Sequence, residues 1–219
     1  MKKSEKRVEA ANKLDIRDLF QQYCPEPAWK AFSEKAQAAD LEIATADAES
    51  LSAEQLNACL DLVELTSAED YRNSETGWSR SKKRREMKLP EMRYILLFGP
   101  PGAVQSLPAS ELAGFVSFMI TYEDGYEVVY VYEIHFAPAS QGKGFGRLLM
   151  EVIAALGSNV GLEKAMLTVF KSNARATDWY LKLEYSVDEF SPPARRLRGG
   201  VLKEPTYTIL SKRIKAEGD

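Results

Sequence analysis

The sequence has few of the residues that build metal sites and no long apolar run. It contains one histidine and two cysteines, Cys24 and Cys59, which lie far apart and form no CxxC pair. Familiar zinc-site spacings need more such ligands, so we expect no metal. No apolar run approaches the length of a membrane-spanning helix, and the lysine-rich start lacks an apolar signal segment. These absences predict a reduced, intracellular compartment and no membrane partner.

The bulk composition predicts one principal domain. The 219 residues are 45% hydrophobic, which suffices for a single core with an extension. We expect residues 1–38 to form a helical arm that packs on a core domain over residues 39–215. The formal net charge of −3 argues against general coating of nucleic acid, although local basic patches could contact phosphate.

Apolar periodicity predicts helices in the first part of the chain. Residues 4–23 suit one amphipathic helix, which the prolines that follow would stop. A short strand is expected around residues 41–44, and Ser52 is expected to cap a long helix directly after it. A basic run over residues 80–88 indicates a solvated helix face or a localisation signal, with docking to an acidic or RNA-rich partner as the alternative.

The second half predicts an α/β fold, in which a mixed sheet carries helices on both faces. Its first three strands form an antiparallel meander, and a turn-rich stretch over residues 100–111 joins the first two. The expected elements are, in order, strands 93–98, 114–123 and 126–136, a helix 145–156, a buried strand 164–171 reached by a right-handed crossover, a helix 173–183, and a closing hairpin of 185–190 with 205–213.

A glycine-rich loop between the third of these strands and the helix from Phe145 is the most informative stretch. Glycines 142, 144 and 146 open that helix, whose free N–H groups favour an anionic phosphate ligand. A Walker loop is excluded because Lys143 is followed by glycine instead of serine or threonine. A dinucleotide fingerprint fits poorly because position 147 is arginine where that pattern has glycine. A turn that only joins strand to helix is the plain alternative.

The pattern formed by Gln141, Gly144 and Gly146 resembles the pyrophosphate-binding motif of the GCN5-related N-acetyltransferases (GNAT). Asn173 and Tyr180 match the second half of that family's pattern, although Glu184-Tyr185 stands where the family often has Gly-Phe. The resemblance implies a mostly antiparallel mixed sheet splayed in a V, and acetyl-CoA as cosubstrate. The cofactor-binding residues that it implies are Ile134, His135, Phe136, Gln141, Gly142, Lys143, Gly144, Phe145, Gly146, Asn173 and Tyr180.

Several segments between residues 71 and 213 resemble, in the same order, one branch of this family, which acetylates the N-terminal α-amine of histones that begin Ser-Gly-Arg-Gly. The Tyr-x-Tyr-Glu at residues 130–133 is the most specific piece. This resemblance implies histone tails as partners, the ribosome as a further partner, no auxiliary subunit, and a location in cytoplasm and nucleus. The substrate-binding residues that it implies are Tyr71, Glu123, Tyr130, Tyr132 and Tyr207, and Asp124 adds charge for the substrate arginine.

Glu133 is the expected general base. It interrupts an apolar strand, where burial should raise its pKa towards working pH, and an α-amine with a pKa of roughly 7.7 to 8.0 demands only a modest base. Tyr130, Tyr132 and Tyr180 are the other catalytic candidates, with Tyr180 as the acid for the departing thiolate. Regular alternation would place Glu133 and His135 on the opposite face from the two strand tyrosines, so a joint site needs a bulge. His135 is interpreted as a core side chain.

Two other functions stay open. The same chemistry could serve a lysine or a small amine. A non-catalytic module could instead bind RNA or ribosomes through residues 80–88 and 195–203 and keep CoA as a structural ligand. Direct attack on acetyl-CoA requires no cysteine nucleophile, and neither cysteine lies in these motifs.

Overall fold

The computed structural model describes residues 6–99, 112–196, 198, 200 and 202–214. Its helices are α1 (Arg7–Asn12), α2 (Ile16–Tyr23), α3 (Glu26–Ala38), α4 (Ala53–Arg72), α5 (Arg80–Glu86), α6 (Phe145–Val160) and α7 (Ala174–Lys182). Its strands are β1 (Glu42–Asp47), β2 (Arg93–Phe98), β3 (Leu112–Glu123), β4 (Tyr126–Phe136), β5 (Lys164–Phe170), β6 (Ser186–Val187), β7 (Arg195–Arg196), β8 (Leu202–Lys203) and β9 (Tyr207–Arg213). The turn-rich connection predicted over residues 100–111 lies outside the described residues.

Seven strands form one sheet in the order β1-β2-β3-β4-β5-β9-β6. The first four are antiparallel neighbours, β4 and β5 run parallel, and β9 pairs antiparallel with β5 and β6. The parallel pair requires a crossover, which α6 supplies. Its ladder runs from Val128 to Val131 on β4 and then ends, so the two strands diverge and the sheet opens there. The predicted mixed, splayed sheet is therefore confirmed.

Each face of the sheet carries its own buried cluster. On one face, α6 and the arm helices contribute side chains such as Leu19, Phe32 and Ile153. On the other face, α4 packs Leu60 and its apolar neighbours against β2 and β3. Full burial of side chains of this size stabilises the fold by about 1.5–3 kcal/mol each. The two clusters explain why helices cover both faces, as the apolar pattern predicts.

The long helix α4 begins as the sequence predicts. The Ser52 hydroxyl accepts a hydrogen bond from the N–H of Gln55 at 3.1 Å, and the Gln55 side chain accepts one from the N–H of Ser52 at 3.0 Å. This reciprocal capping box satisfies two backbone donors that the first turn leaves free. The helix thereby starts at a defined residue, which fixes the direction of its apolar face.

The arm differs from the single helix predicted over residues 4–23. The Asp15 carboxylate accepts a hydrogen bond from the N–H of Asp18 at 2.8 Å and caps a separate helix α2, so the chain breaks between α1 and α2. Pro27 lies in the first turn of α3, a position that proline favours because the N–H it lacks is unpaired there in any helix. The prolines thus stop α2 and start a third helix.

Arg93 of β2 ties the arm to the sheet. Its side chain is buried and donates to the carbonyl oxygens of Ala11 and Leu14 at 3.1 and 3.0 Å and to the Asn12 side chain at 3.0 Å. Its guanidinium also lies 3.6 Å from the Asp47 carboxylate. These bonds satisfy carbonyls at the end of α1 and fix where the arm leaves the sheet.

Within the described residues, no helix is both long enough and apolar enough to cross a bilayer. The same residues hold no group of three or more side chains that could bind a metal ion.

Candidate active site

The glycine loop leads directly into α6. Gly142 and Gly144 have φ angles of 71° and 85°, a left-handed conformation that glycine adopts without strain. A Cβ added at Gly142 would meet nothing within 4 Å, so the loop surface is open to a ligand. Gly144 provides no side-chain cap, and the first N–H groups of this 16-residue helix point out of its end. The geometry suits an anionic group.

The residues on either side of the loop hold its shape. The Gln141 side chain donates to the carbonyl oxygen of Phe136 at 3.1 Å, which closes the loop back onto the end of β4. A Cβ at Gly146 would lie 3.1 Å from Trp179 and 3.3 Å from Phe136, so glycine lets α6 approach α7 closely. The main chain of residues 134–136 pairs with β3 on one side, and on the other it borders the opening between β4 and β5.

The arm contributes a lysine to this loop. A Cβ at Gly144 would lie 3.5 Å from Cε of Lys35, a residue of α3, and the Lys35 Nζ lies 5.5 Å from the centre of the Phe145 ring. The ammonium is therefore next to the N-terminus of α6, where an anion would bind. No local pattern near the loop indicates Lys35, because it comes from a helix more than a hundred residues earlier.

A bulge in β4 brings three of the predicted catalytic residues, Tyr130, Tyr132 and Glu133, onto one face. In the ladder with β3, Ser117 pairs with Glu133 while Phe118 pairs with Val131, so the register shifts by one residue at Tyr132. Val131 and Ile134 consequently pack into the cluster beside α6. The side chains of Tyr130, Tyr132, Glu133 and His135 share the opposite face. The bulge required for a joint site is present.

Glu133 is the centre of a buried hydrogen-bond network, and its side chain is only 6% exposed. One carboxylate oxygen accepts from the Tyr71 hydroxyl at 2.9 Å and from the Lys83 ammonium at 2.7 Å. The other oxygen lies 2.6 Å from Nε2 of His135. Three elements, α4, α5 and β4, therefore hold this one carboxylate.

The pKa of Glu133 differs from the expectation. Burial alone would raise it, as the sequence suggests, but the Lys83 ammonium and the hydrogen bond from His135 outweigh burial and lower the pKa to about 2. The prediction of a raised pKa is wrong, because the decisive charge comes from a helix fifty residues earlier. Glu133 is a carboxylate throughout the neutral pH range.

His135 extends the network to α4. Its Nδ1 lies 2.7 Å from the Thr66 hydroxyl oxygen, which itself lies 2.7 Å from the carbonyl oxygen of Leu62. Because Glu133 is ionised, Nε2 must carry a proton to bond to it. The Thr66 hydroxyl has one proton to donate. If it donates to Nδ1 of His135, the imidazole ring is neutral. If it donates to the carbonyl oxygen of Leu62, Nδ1 must carry a proton of its own and the ring is doubly protonated. His135 packs 5.7 Å from Phe115, in keeping with its interpretation as a core side chain, yet it also contacts the candidate base.

Aromatic side chains surround this network. The Tyr71 ring lies 4.7 Å from Phe170 and 5.4 Å from Trp78, and the Tyr130 and Tyr132 rings lie 5.3 Å apart. These side chains form a tyrosine groove, which we define as Tyr71, Tyr130 and Tyr132 around Glu133. Since Tyr71 bonds to Glu133, the groove leads directly to the carboxylate.

The outer end of the groove is acidic and partly exposed. The Tyr130 hydroxyl lies 2.5 Å from that of Thr168, and burial raises the pKa of Tyr130 to about 12, with smaller contributions from Glu123 and Tyr207. Burial also raises the pKa of Glu123, helped by the neighbouring Asp124. Tyr207 begins β9 opposite Phe170 and is half-buried. Tyr130 is therefore close enough to Glu123 and Tyr207 to interact electrostatically with both.

A sequence profile of the acetyltransferase (GNAT) family matches residues 62–185, more than half of the chain, and the match includes both the glycine loop and the bulge. The chain belongs to the GNAT family. N-alpha-acetyltransferase 40 of Saccharomyces cerevisiae is 30% identical to it over 165 residues, which cover 66% of this chain. The chain covers 58% of the yeast protein, so it spans less than two thirds of that relative's length.

Solved structures confirm the GNAT fold. Arabidopsis thaliana NAA60, in complex with a bisubstrate analogue, is 11% identical with a TM-score of 0.53, and the match covers 78% of this chain and 98% of that one. Spermidine N-acetyltransferase from Vibrio cholerae, in complex with CoA and spermine, is 17% identical with a TM-score of 0.51, and the match covers 80% and 96% of the two chains. At these identities the likeness shows the fold alone.

The second half of the GNAT motif lies at α7. The Asn173 side chain accepts a hydrogen bond from the N–H of Ala176 at 3.0 Å and so caps α7, and it lies 3.4 Å from the Asp70 carboxylate. Tyr180 is buried in the cluster beside α6, its ring 6.1 Å from that of Tyr185. Burial raises the pKa of Tyr180, so its hydroxyl keeps its proton at neutral pH.

The basic run is not simply a solvated helix face. Arg80 donates to Asp61 at 2.6 Å and to Glu64 at 2.8 Å, Arg84 donates to Asn57, and Lys83 is buried against Glu133. The exposed basic side chains of the run are Lys82, Arg85 and Lys88. The prediction of a solvated face is therefore wrong for Lys83, whereas Arg80 and Arg84 stay partly exposed while they pair with α4.

Proposed function

We propose that this GNAT protein is an acetyl-CoA-dependent N-terminal acetyltransferase of the NatD type, which acetylates the N-terminal serine of histone tails that begin Ser-Gly-Arg-Gly. The observation that carries the proposal is the bulge in β4, because it puts Tyr130, Tyr132 and Glu133 on one face beside the opening of the sheet. The name of the yeast relative, N-alpha-acetyltransferase 40, supports an α-amine as the acceptor.

The cosubstrate would bind across the sheet opening. The N-terminus of α6 and the backbone N–H groups of residues 142–146 suit the pyrophosphate, and Lys35 and Lys143 add positive charge there. The free edge of β4 at residues 134–136 offers backbone groups to the pantetheine amides. Bound in this way, the cosubstrate would have its thioester near the bulge and the tyrosine groove.

The proposed reaction is direct transfer. The lone pair of the neutral α-amine attacks the thioester carbonyl carbon, a C–N bond forms, and the C–S bond breaks as the CoA thiolate leaves. The nitrogen loses one proton and the sulfur gains one. An α-amine with a pKa of roughly 7.7 to 8.0 is partly neutral at physiological pH. After attack its nitrogen is cationic and far more acidic, so the Glu133 network can accept the proton despite the low pKa of the carboxylate.

Tyr180 is the proposed acid for the sulfur. Its raised pKa keeps the hydroxyl protonated, as a donor must be. Because a thiol has a pKa of about 8.5, the thiolate is a tolerable leaving group and the donated proton assists without being essential.

The tyrosine groove would hold the peptide. The Ser-Gly end needs little room, which fits a surface walled by aromatic rings. The partly exposed Glu123 would pair with the guanidinium of the third residue through charge-assisted bonds. Since histones are made in the cytoplasm and act in the nucleus, both compartments are proposed sites of action.

The test uses the full chain with acetyl-CoA and three acceptors: a Ser-Gly-Arg-Gly peptide, the same peptide with a blocked N-terminus and an added lysine, and spermine. Mass spectrometry locates the acetyl group. We expect acetylation of the free N-terminus alone. Preferential acetylation of the lysine or of spermine would support another GNAT acceptor class and overturn the proposal.

Glu133→Gln provides the catalytic control. It should bind acetyl-CoA as the native protein does and lower kcat by roughly 10²-fold or more, the usual contribution of a general base. An unchanged kcat, together with loss of ribosome or RNA binding on charge reversal of Lys82 and Arg85, would favour the non-catalytic module instead.

A further inference from the structure

Lys83 lies in the middle of the basic run, yet its side chain is buried beneath the tyrosine groove and is 6% exposed. Its Nζ donates to Glu133 at 2.7 Å and to Glu86 at 2.6 Å. It also lies 4.7 Å from the centre of the Tyr71 ring. The three protons of this ammonium thus have two carboxylates and one aromatic face as partners.

The rest of α5 fixes the direction of this side chain. Arg80, one turn earlier, is held by Asp61 and Glu64 of α4. Arg84, the next residue, bonds to Asn57 of the same helix. These bonds hold α5 against α4 with Lys83 buried in the site and its neighbour Lys82 exposed to solvent.

Fold stability does not account for a lysine at this position. Removing an ammonium from water costs several kcal/mol, which the pairing with carboxylates only offsets, and a buried ion pair can often be replaced by apolar side chains without loss of stability. The charge of Lys83 stabilises the ionised form of Glu133, because an unpaired carboxylate buried in the same place would favour its neutral form.

We propose that Lys83 is a positioning residue for acetyl transfer: its ammonium holds the Glu133 carboxylate in one orientation between Tyr71 and His135 and balances its charge inside the site. This inference rests on the proposed function, because it concerns how the proposed general base of the same site is oriented and kept ionised. Lys83 acts through Glu133 and need not touch either substrate.

The local charges favour this role for Lys83 over its neighbours. The titratable groups that interact electrostatically with Glu133 are Tyr71 from α4, Lys83 from α5, Tyr94 from β2, His135 from β4 and Tyr180 from α7, and Glu86 of α5 shares the Lys83 ammonium. Lys83 is the one among them that is cationic at every working pH, since the Glu133 carboxylate raises its pKa and outweighs the lowering by burial. Without it, burial would dominate and the pKa of Glu133 would rise.

The test compares Lys83→Met with Lys82→Met, a matched change at the exposed neighbour. We expect Lys83→Met to lower kcat by roughly 10²-fold, the scale of a misplaced catalytic group. Its KM for acetyl-CoA should stay unchanged, because the glycine loop is separate. Below the pKa of the α-amine, its kcat should fall more steeply with decreasing pH than the kcat of the native protein, because the carboxylate then becomes protonated as well. Lys82→Met should match the native protein.

A second measurement does not depend on activity. The carboxyl carbon of Glu133 is followed by NMR in ¹³C-glutamate-labelled protein and assigned with Glu133→Gln. In native protein the signal should remain that of a carboxylate through the neutral and mildly acidic range, and in Lys83→Met it should titrate within that range. If Lys83→Met does not fold, Lys83→Gln carries the same test, since its amide can donate a hydrogen bond without charge.

The outcomes separate the two proposals. If the native protein fails to acetylate any N-terminus, the proposed function fails, while the NMR titration still reports on Lys83. An unchanged kcat, pH profile and Glu133 titration in a folded Lys83 variant would overturn the positioning role. A loss of thermal stability alone, with the pH profile unmoved, would assign Lys83 to the fold and overturn it equally.

Discussion

The hydroxyl of Tyr71, at the end of α4, donates to the carboxylate of Glu133 on β4 at 2.9 Å. This bond joins the wall of the groove to the proposed base. Only the Tyr71 side chain would therefore separate a peptide bound against Tyr71 from the carboxylate. The same oxygen also accepts from Lys83. One oxygen of the proposed base therefore receives hydrogen bonds from both a proposed substrate contact and the charge-balancing ammonium.

Acid stability should depend on Glu133. Although burial raises its pKa, Lys83 and His135 lower it from 4.5 to about 2 in the folded protein, so folding favours the ionised form. The resulting stabilisation is complete above about pH 4.5 and is lost as pH falls towards about 2. Glu133→Gln removes this titration. The difference in free energy of unfolding between native protein and variant, from urea titrations, should shrink across that window. A constant difference would contradict the low pKa.

Lys35→Ala should weaken acetyl-CoA binding. The ammonium lies beside Gly144, and an exposed charge contact of this kind contributes up to about 1 kcal/mol, or roughly a five-fold rise in KM. The KM for the peptide and kcat should not change, and added salt should reduce the effect. Lys30→Ala, on the same helix and paired with Glu34, is the control. An equal effect of both changes would indicate a general charge effect instead.

Glu123→Ala should impair recognition of the third substrate residue. Loss of a charge-assisted hydrogen bond of about 1.5–3 kcal/mol should lower kcat/KM for a Ser-Gly-Arg-Gly peptide by roughly 10-fold or more. For a Ser-Gly-Ala-Gly peptide the variant and native protein should be equal. Steady-state kinetics with both peptides form a double-mutant cycle across the interface. Equal losses of kcat/KM on both peptides would show that Glu123 does not recognise the substrate arginine.

Arg93→Met should loosen the arm. It leaves the carbonyls of Ala11 and Leu14 and the Asp47 carboxylate without this partner, and it should lower the free energy of unfolding by about 3 kcal/mol. Limited proteolysis should then cut faster within α1 and α2. Arg7→Met, which removes a partly exposed pair with Glu127, should cost under about 1 kcal/mol. Equal effects would mean that Arg93 does not anchor the arm.

Much of the architecture could be predicted because it depends on local pattern. The capping box at Ser52, the β3–β4 turn at Asp124-Gly125 and the glycines at 142 and 144 are short-range signals, and each is found where expected. The arm was harder. Its apolar residues fit a single helix, but the cap at Asp15 divides it, since one side-chain bond outweighs a weak helical preference.

The candidate site required more than pattern. Alternation alone separates Tyr132 from the face that includes Glu133, and the sequence does not decide whether a bulge reunites them. The bulge forms against β3, where Ser117 pairs with Glu133 and the next residue skips to Val131. Its position depends on how two strands dock, which no run of residues within β4 specifies.

The family could be recognised from the resemblance of short motifs, and the elements from β2 to α7 and the glycine loop could be predicted in order from spacing along the chain. The protonation state of Glu133, by contrast, follows from contacts made in the folded chain. Its charge depends on Lys83, which precedes it by fifty residues, and its neighbours depend on the bulge. Electrostatic interactions act through space. Glu133 is therefore ionised at neutral pH, although the apolar strand around it indicates a raised pKa.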